Sequence, residues 1–265
     1  AQDPIQLGHA LVDAKCTFAF KKHRGRFIFT GELDEDSIVP ILPRVRMKLV
    51  ETMAHGEEDA WINGQLSASI DTGAAAPGTY SIRKAHNGLR YFCSSGVVNS
   101  LFDAGSDNLA YSDIMAARAV MGERGVDPAD LALILGPAGY MQALKITEVK
   151  TVDVYGPAAT VATGELAKIS GIPIVVSRFV PEDMNVSGIR DATTTTQTIA
   201  IVVNRRGWLA CEKRDITIES VRLPSVDWTD VIAMRRMDLE SLYGYATSGT
   251  PKTACVIYNL DTALA

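Results

Sequence analysis

Cys16, Phe18 and Phe20 alternate with Lys15, Thr17 and Ala19, and beyond the turn-like His23-Arg24-Gly25 the segment 26–33, RFIFTGEL, answers them. Period two on both sides of a Gly-containing turn predicts a β-hairpin within residues 14–36. A two-stranded ribbon is marginal by itself in water, so this one is expected to lie on another surface. Its turn end carries Lys21, Lys22, Arg24 and Arg26, and the segment beyond carries Glu32, Asp34, Glu35 and Asp36.

From Ser37 the period lengthens to four. Ile41, Val45, Leu49 and Met53 form a stripe that Leu42, Val50 and Ala54 widen, which predicts a long helix with Asp36 or Ser37 as its cap and Asn63-Gly64 as its stop. Pro43 would remove a backbone bond inside that helix, so the helix is expected to start close to it or to kink there. Residues 66–110 read as loops and short strands. A second helix is expected from about Ser112 to Arg124, a buried strand at 131–136, LALILG, and a short helix opened by Pro137 and running through Leu144. Most of the remainder favours strands: GIPIVVS at 171–177, TIAIVVN at 198–204, WLACEK, ITIESVRL, VIAMRRM and KTACVIYNL. The run DATTTTQT at 191–198 reads as a polar loop or strand edge. Helices early, strands late and no regular βαβ alternation give an α+β fold class.

At 265 residues, 47% of them hydrophobic, the chain can bury a core as one large domain or two modest ones without disulfides or metals. A net charge of -5 gives no general affinity for nucleic acid. Cys16, Cys93, Cys211 and Cys255 are too scattered for a zinc knuckle or a redox pair and read as buried thiols in a reducing compartment. No apolar run reaches the ~20 residues of a membrane helix, so a soluble protein is expected. Ala1 fits the trimming of an initiator Met or the removal of a longer propeptide.

Catalytic chemistry is hard to find. There is no P-loop and no G-x-G-x-x-G. His55 is followed by Glu57, Glu58 and Asp59 without a second His, which reads as a solvated helix face. No G-x-S-x-G elbow occurs. The sequon Asn185-Val186-Ser187 is a three-residue pattern of the kind that arises by chance. No catalytic residue, metal ligand or cofactor is assigned.

Four stretches carry a resemblance. The helix end AHGEEDAWINGQ (54–65) is similar to a spine helix running into an Ala-aromatic-x-Asn-Gly stop. With it go the block GVDPADLALILGPAGYMQAL (125–144), the Gly-Ile-Pro strand in GELAKISGIPIVVSRFVPEDM (164–184), and VIAMRRMDLESLYG (231–244) with its central arginines. In element order and in these stretches, the chain resembles the major capsid proteins of tailed bacteriophages, the Hong Kong 97 fold.

The resemblance implies a shell subunit and not an enzyme. Its parts would be an N-terminal arm at 1–13, an extended β-hairpin loop at 14–36, and the spine helix with the first part of a peripheral domain at 37–99. An axial domain would span 100–226, and return strands of the peripheral domain 227–265. Many copies, as pentamers and hexamers, would close an icosahedral shell around double-stranded DNA held without sequence specificity. Portal and scaffolding or cement proteins would be partners, there would be no membrane, and assembly in the host cytoplasm would end in the virion capsid. No scaffold-like segment precedes Ala1, so such a segment is expected either to be cut away or to be a separate protein.

Lys21, Lys22, Arg24 and Arg26, with Glu32, Asp34, Glu35 and Asp36, are expected to make intersubunit contacts, or else to keep an exposed ribbon soluble. Some relatives join an extended-loop Lys to a neighbour's Asn. Lys15, Lys21 or Lys22 against Asn259 lacks a convincing partner or catalytic acid, so no cross-link is expected. Two other readings stand beside the capsid: an encapsulin-like compartment shell holding cargo enzymes, and a small hydrolase built from Asp103, Ser112, Asp113 and His86.

Overall fold

The computed structural model describes residues 16, 18–37, 40–67, 69–146, 168–244 and 250–263. The chain runs β1 (Lys21–Thr30), α1 (Gly31–Asp36), α2 (Ile41–Asn63), α3 (Leu89–Cys93), β2 (Leu101–Asp107), α4 (Tyr111–Met121) and β3 (Leu131–Leu135). It continues α5 (Pro137–Ala143), β4 (Lys168–Ile169), β5 (Ile172–Val176), β6 (Gln197–Asn204), β7 (Trp208–Leu223), β8 (Trp228–Ser241) and β9 (Ala254–Asp261). The expected arm at 1–13 and residues 164–167 of the Gly-Ile-Pro block lie outside the described residues.

Two sheets organise these elements. The larger is mixed, in the order β2-β9-β6-β3-β5-β4. Its central strand β6 is buried along its whole length, which is why 198–204 reads as an unbroken apolar run. Leu131, Leu133, Ala200, Val202 and Ile257 pack with Ile114, Ala117 and Met121 of α4, while Ile199, Ile201 and Val256 pack with Phe92 of α3. The sheet is therefore covered on both faces. The smaller sheet is antiparallel, in the order β1-β8-β7. Phe29, Val231 and Ala233 on one of its faces meet Val45 and Leu49 of α2, the stripe that the period of four marks out.

The hairpin expected within 14–36 does not form. His23-Arg24-Gly25 lies in mid-strand, paired with Arg235, Met234 and Ala233 of β8, and β1 runs straight from Lys21 to Thr30. Gly25 serves packing there: a Cβ would sit 3.2 Å from Leu49 Cδ2 of the crossing helix. The alternation was real, but the partner strand comes from the far end of the chain. The hairpin of this sheet is β7–β8, closed by residues 224–227. Strand β7, inside the expected 100–226 unit, joins the small sheet, and β9, inside 227–265, joins the large one. The chain crosses between the sheets at Arg205–Gly207 and returns after Ser241.

Helix α2 begins at Ile41 with Pro40 at its N-cap, so Pro43 falls in the first turn, where backbone N–H groups have no intrahelical partner in any case. Asp36 and Ser37 do not cap it, because they end α1 instead. At its other end the helix stops against backbone. Gly64 N–H donates to the Ala60 carbonyl at 2.8 Å, and Gly88 N–H donates to the Gly64 carbonyl at 2.9 Å. A Cβ on Gly88 would lie 2.6 Å from the Trp61 carbonyl oxygen and 2.7 Å from Gly64 N. We expect Gly88→Ala to cost roughly 2–4 kcal/mol in urea unfolding of the isolated chain, because the obstacle is main chain and cannot swing aside.

Candidate intersubunit surface

A surface that docks must first be held in place, and the end of α2 does this. Asn63 donates to Asp59 Oδ1 at 2.7 Å and to the Phe179 carbonyl at 2.8 Å, and accepts from Arg90 Nη1 at 3.0 Å. Arg90 Nη2 lies 2.8 Å from Asp71 Oδ1, with side chains 3% and 0% exposed. Gln65 donates to Asp71 Oδ2 at 2.7 Å, while its own oxygen accepts from the backbone of Ile70 and Asp71. Burial alone would raise the Asp71 carboxyl, but the Arg90 charge and the hydrogen bonds from Arg90 and Gln65 outweigh it and hold it below its ordinary value. The helix end, the loop at 71 and the strand-connecting segment at 179 thus share one buried network. Arg90 inside the apolar run LRYF and Asp71 in the turn DTG were its only sequence signals.

Nearer the small sheet, Arg235 of β8 reaches inward to Glu57 of α2 and donates to Glu212 Oε1 of β7 at 2.7 Å. His23 of β1 and His86 stack with ring centroids 6.3 Å apart, both buried. Burial, the facing His86 and the Arg235 charge push His23 down from 6.5 to about 4 against the opposing Asp238; burial pushes His86 to about 4 as well, against its contact with the Asn87 carbonyl.

The face of the small sheet turned away from α2 is open. Lys22, Arg24 and Arg26 alternate along it, all exposed, and Lys21 stands exposed at the start of β1. Arg26 is tied within the sheet, its Nη2 lying 2.8 Å from Asp230 Oδ2. Glu32, Asp34, Glu35 and Asp36 sit on α1, with the side chains of Glu32, Glu35 and Asp36 exposed. At ~3.3 Å per strand residue, Lys21 and the start of α1 stand roughly 30 Å apart at opposite ends of β1. Arg26, further along the strand, lines one groove with Leu33 and Ser37, so the basic and acidic sets grade into one another along β1.

The groups considered for hydrolysis are each committed locally. Asp103 Oδ1 accepts from Asn259 at 2.8 Å and from Gly105 N–H at 2.9 Å, Asp113 Oδ2 caps α4 through Ala110 N–H, exposed Ser112 donates to Asp113 Oδ1 at 3.4 Å, and His86 is buried beside His23. Asn259 has a positive φ of 61° and accepts from Ser106 at 2.8 Å, so its amide is held on both sides. Asn185 is likewise used, accepting from Ser187 and Ile189 N–H groups and donating to Asp191. Cys93 and Cys255 are buried, with burial raising both thiols, whereas Cys16 and Cys211 are half-buried; all four are unbridged. Among the described residues no helix is long and apolar enough to cross a membrane, and no group of three or more His, Cys, Asp or Glu could hold a metal ion.

A long helix under a small antiparallel sheet, locked at its end to a doubly covered mixed sheet, is the Hong Kong 97 fold of the phage capsids it matches. The capsid of cyanophage P-SCSP1u matches with a TM-score of 0.59 at 13% identity, over 99% of this chain and 81% of that one. The holo-SrpI encapsulin complex from Synechococcus elongatus PCC 7942 matches with a TM-score of 0.56 at 11% identity, over 92% and 75%. A family model described as phage capsid protein matches residues 17–255, and the chain belongs to that family. The major capsid protein of Escherichia phage T5 is 24% identical over 234 residues, 88% of this chain and 46% of that protein, so the chain spans about half the length of this curated relative.

Two outcomes follow from the buried groups. Replacing Asp71 by Ala should cost roughly 3–5 kcal/mol in the unfolding of the unassembled subunit, because Arg90 is left buried and uncompensated. The two histidines take up protons near 6.5 when unfolded but only near 4 when folded, so their contribution is complete above pH about 6.5 and is lost as pH falls towards 4. Glu57 and Asp238, both raised by burial, act in the opposite sense. The informative measurement is therefore a difference: urea stability of His86→Gln should fall with acid by about one proton's slope less than wild type over that window.

Proposed function

We propose that this chain is the major capsid subunit of a tailed phage, closing as pentamers and hexamers into an icosahedral shell around double-stranded DNA. The observation that carries the reading is the phage capsid family match over residues 17–255, joined to a fold shared with assembled capsids. In this reading α2 and the small sheet form the peripheral domain, and the six-stranded sheet with its helices forms the axial domain. The net charge of -5 is compatible with DNA cargo, since closure confines the polymer and counterions neutralise phosphate. Portal and scaffolding or cement proteins would complete the particle, which would assemble in the host cytoplasm.

A compartment shell is the alternative that the fold itself admits, because the encapsulin shares it. Negative-stain images and nuclease digestion of purified particles separate the two. Closed shells that accept or protect double-stranded DNA support the phage reading; small shells holding protein cargo replace it, and a monomer at high concentration removes both.

The charged surface belongs to the same proposal. Weak contacts between exposed charges, each worth under ~1 kcal/mol, sum when every copy meets several neighbours. Lys21, Lys22, Arg24 and Arg26 would meet acidic surface of adjacent copies, with Glu32, Asp34, Glu35 and Asp36 available as counterparts. Reversing Lys21, Lys22 and Arg24 to Glu, with Arg26 left on Asp230, is expected to block shell formation, seen by light scattering, while leaving the far-UV circular dichroism of the chain unchanged. Normal shells from that variant would assign these charges to solubility alone.

A further inference from the structure

One cross-strand row of the small sheet is made of cations alone. The register sets Lys22 of β1 opposite Arg236 of β8, and the same Arg236 opposite Arg214 of β7, so positive side chains stand side by side across all three strands. At ~4.8 Å between strands, the backbones of Lys22 and Arg214 lie roughly 10 Å apart. Arg24 follows two places along β1, on the same face. Like charges directly opposite one another in a sheet destabilise it. Lys22, Arg24 and Arg214 are exposed, and among the described residues neither they nor Arg236 make an ion pair.

The carboxylates nearby are already in use. Glu212 turns to Arg235, Asp215 Oδ1 accepts from Ile216 N–H at 2.7 Å, and Asp238 accepts from Ala19 N–H at 2.6 Å and from Leu239 N–H at 3.0 Å. Arg236 donates through Nη2 to the Phe20 carbonyl at 3.3 Å, but its Nε is buried and has no partner among the described residues. The ladder of β7 shifts register on both sides of Arg214, and bulges of this kind re-aim a side chain. A row that repels itself, with a buried donor left over, suits an oxyanion brought from outside.

The extent of the row decides which anion. Glu219 stands in the row of Arg26, about 13 Å along at ~3.3 Å per residue, and Asp230 stands in the row of Ile28 beyond it. A phosphate backbone laid along the face would run onto these acids, whereas a few carboxylates on a protein surface fit the short cationic stretch. The chain itself, at a net charge of -5, carries carboxylates in excess. We propose that the Lys22–Arg236–Arg214 row is an oxyanion site that an adjacent copy fills with its carboxylates, so that a repulsion present in the isolated chain is relieved on assembly. The proposal rests on the shell reading and deepens it, bringing Arg214 and Arg236 into the contact. Salt screens such charges, so the contact weakens as ionic strength rises.

Arg214→Glu should act in opposite directions on the isolated chain and on the shell. It gives Lys22 and Arg236 a partner within the chain, so the urea midpoint should rise, while shell yield should fall at least tenfold. Arg214→Gln removes the repulsion without adding an acid, and is read in the same way if the first variant does not fold. The partner is identified by zero-length carbodiimide coupling, which joins an amine directly to a carboxylate, in shells grown from a mixture of isotopically light and heavy chains. A mixed-isotope peptide linking Lys22 to an Asp or Glu of another copy is expected. A midpoint that does not rise, normal shell yield from the variants, or shells in which Lys22 couples to no other copy each overturn the site and leave the shell reading standing. Variant shells that form normally but no longer retain double-stranded DNA assign the row to phosphate and overturn it too. Wild-type chains that never assemble overturn the shell reading together with the site.

Discussion

The end of helix α2 is where the two halves of the molecule are bound to each other, and the bond is made largely of main chain. Gly64 and Gly88 bring two backbones close enough that no side chain fits between them. Around that contact, Asn63, Arg90, Asp71 and Gln65 satisfy one another out of water. A buried ion pair of this sort adds little net stability, but it is unforgiving of any other arrangement, because separating its members strands a charge in the interior. The orientation of the helix relative to the six-stranded sheet is thereby set, and with it the direction in which the small sheet projects.

That small sheet has two unlike faces. One is sealed by Val45 and Leu49 of the helix; the other presents Lys22, Arg24 and Arg26, grading into the apolar end near Trp228. Its outer strands β1 and β7 have no further partner among the described strands. A monomeric protein usually protects such edges and faces. In the proposed shell they stay available for contacts that can each be weak, because a closed assembly multiplies them. The large sheet, by contrast, is covered on both sides.

Much of this was legible in the sequence where the determinant was local. The period of four marks α2, the uninterrupted run 198–204 marks a strand covered on both faces, and Pro137 opens α5. The strand around Gly25 was misassigned because alternation shows that a segment is extended but not what it pairs with. A glycine placed for Leu49 looks the same, in sequence, as a glycine placed for a turn. The Arg90–Asp71 pair was invisible for the same reason: its meaning depends on which distant groups face it. The resemblance carried by residues 54–65 pointed to the class of protein because its Asn-Gly stop is the point where the two halves lock.

The partnership of β1 with β8 has a consequence for the order of events during synthesis. Arg26 meets Asp230 across 204 positions of chain, so β1 has no partner in its sheet until β8 has been made. At roughly 5–20 residues per second that is a wait of about 10–40 s. Until then Val45 and Leu49 of α2 lack the Val231 and Ala233 that cover them in the finished fold.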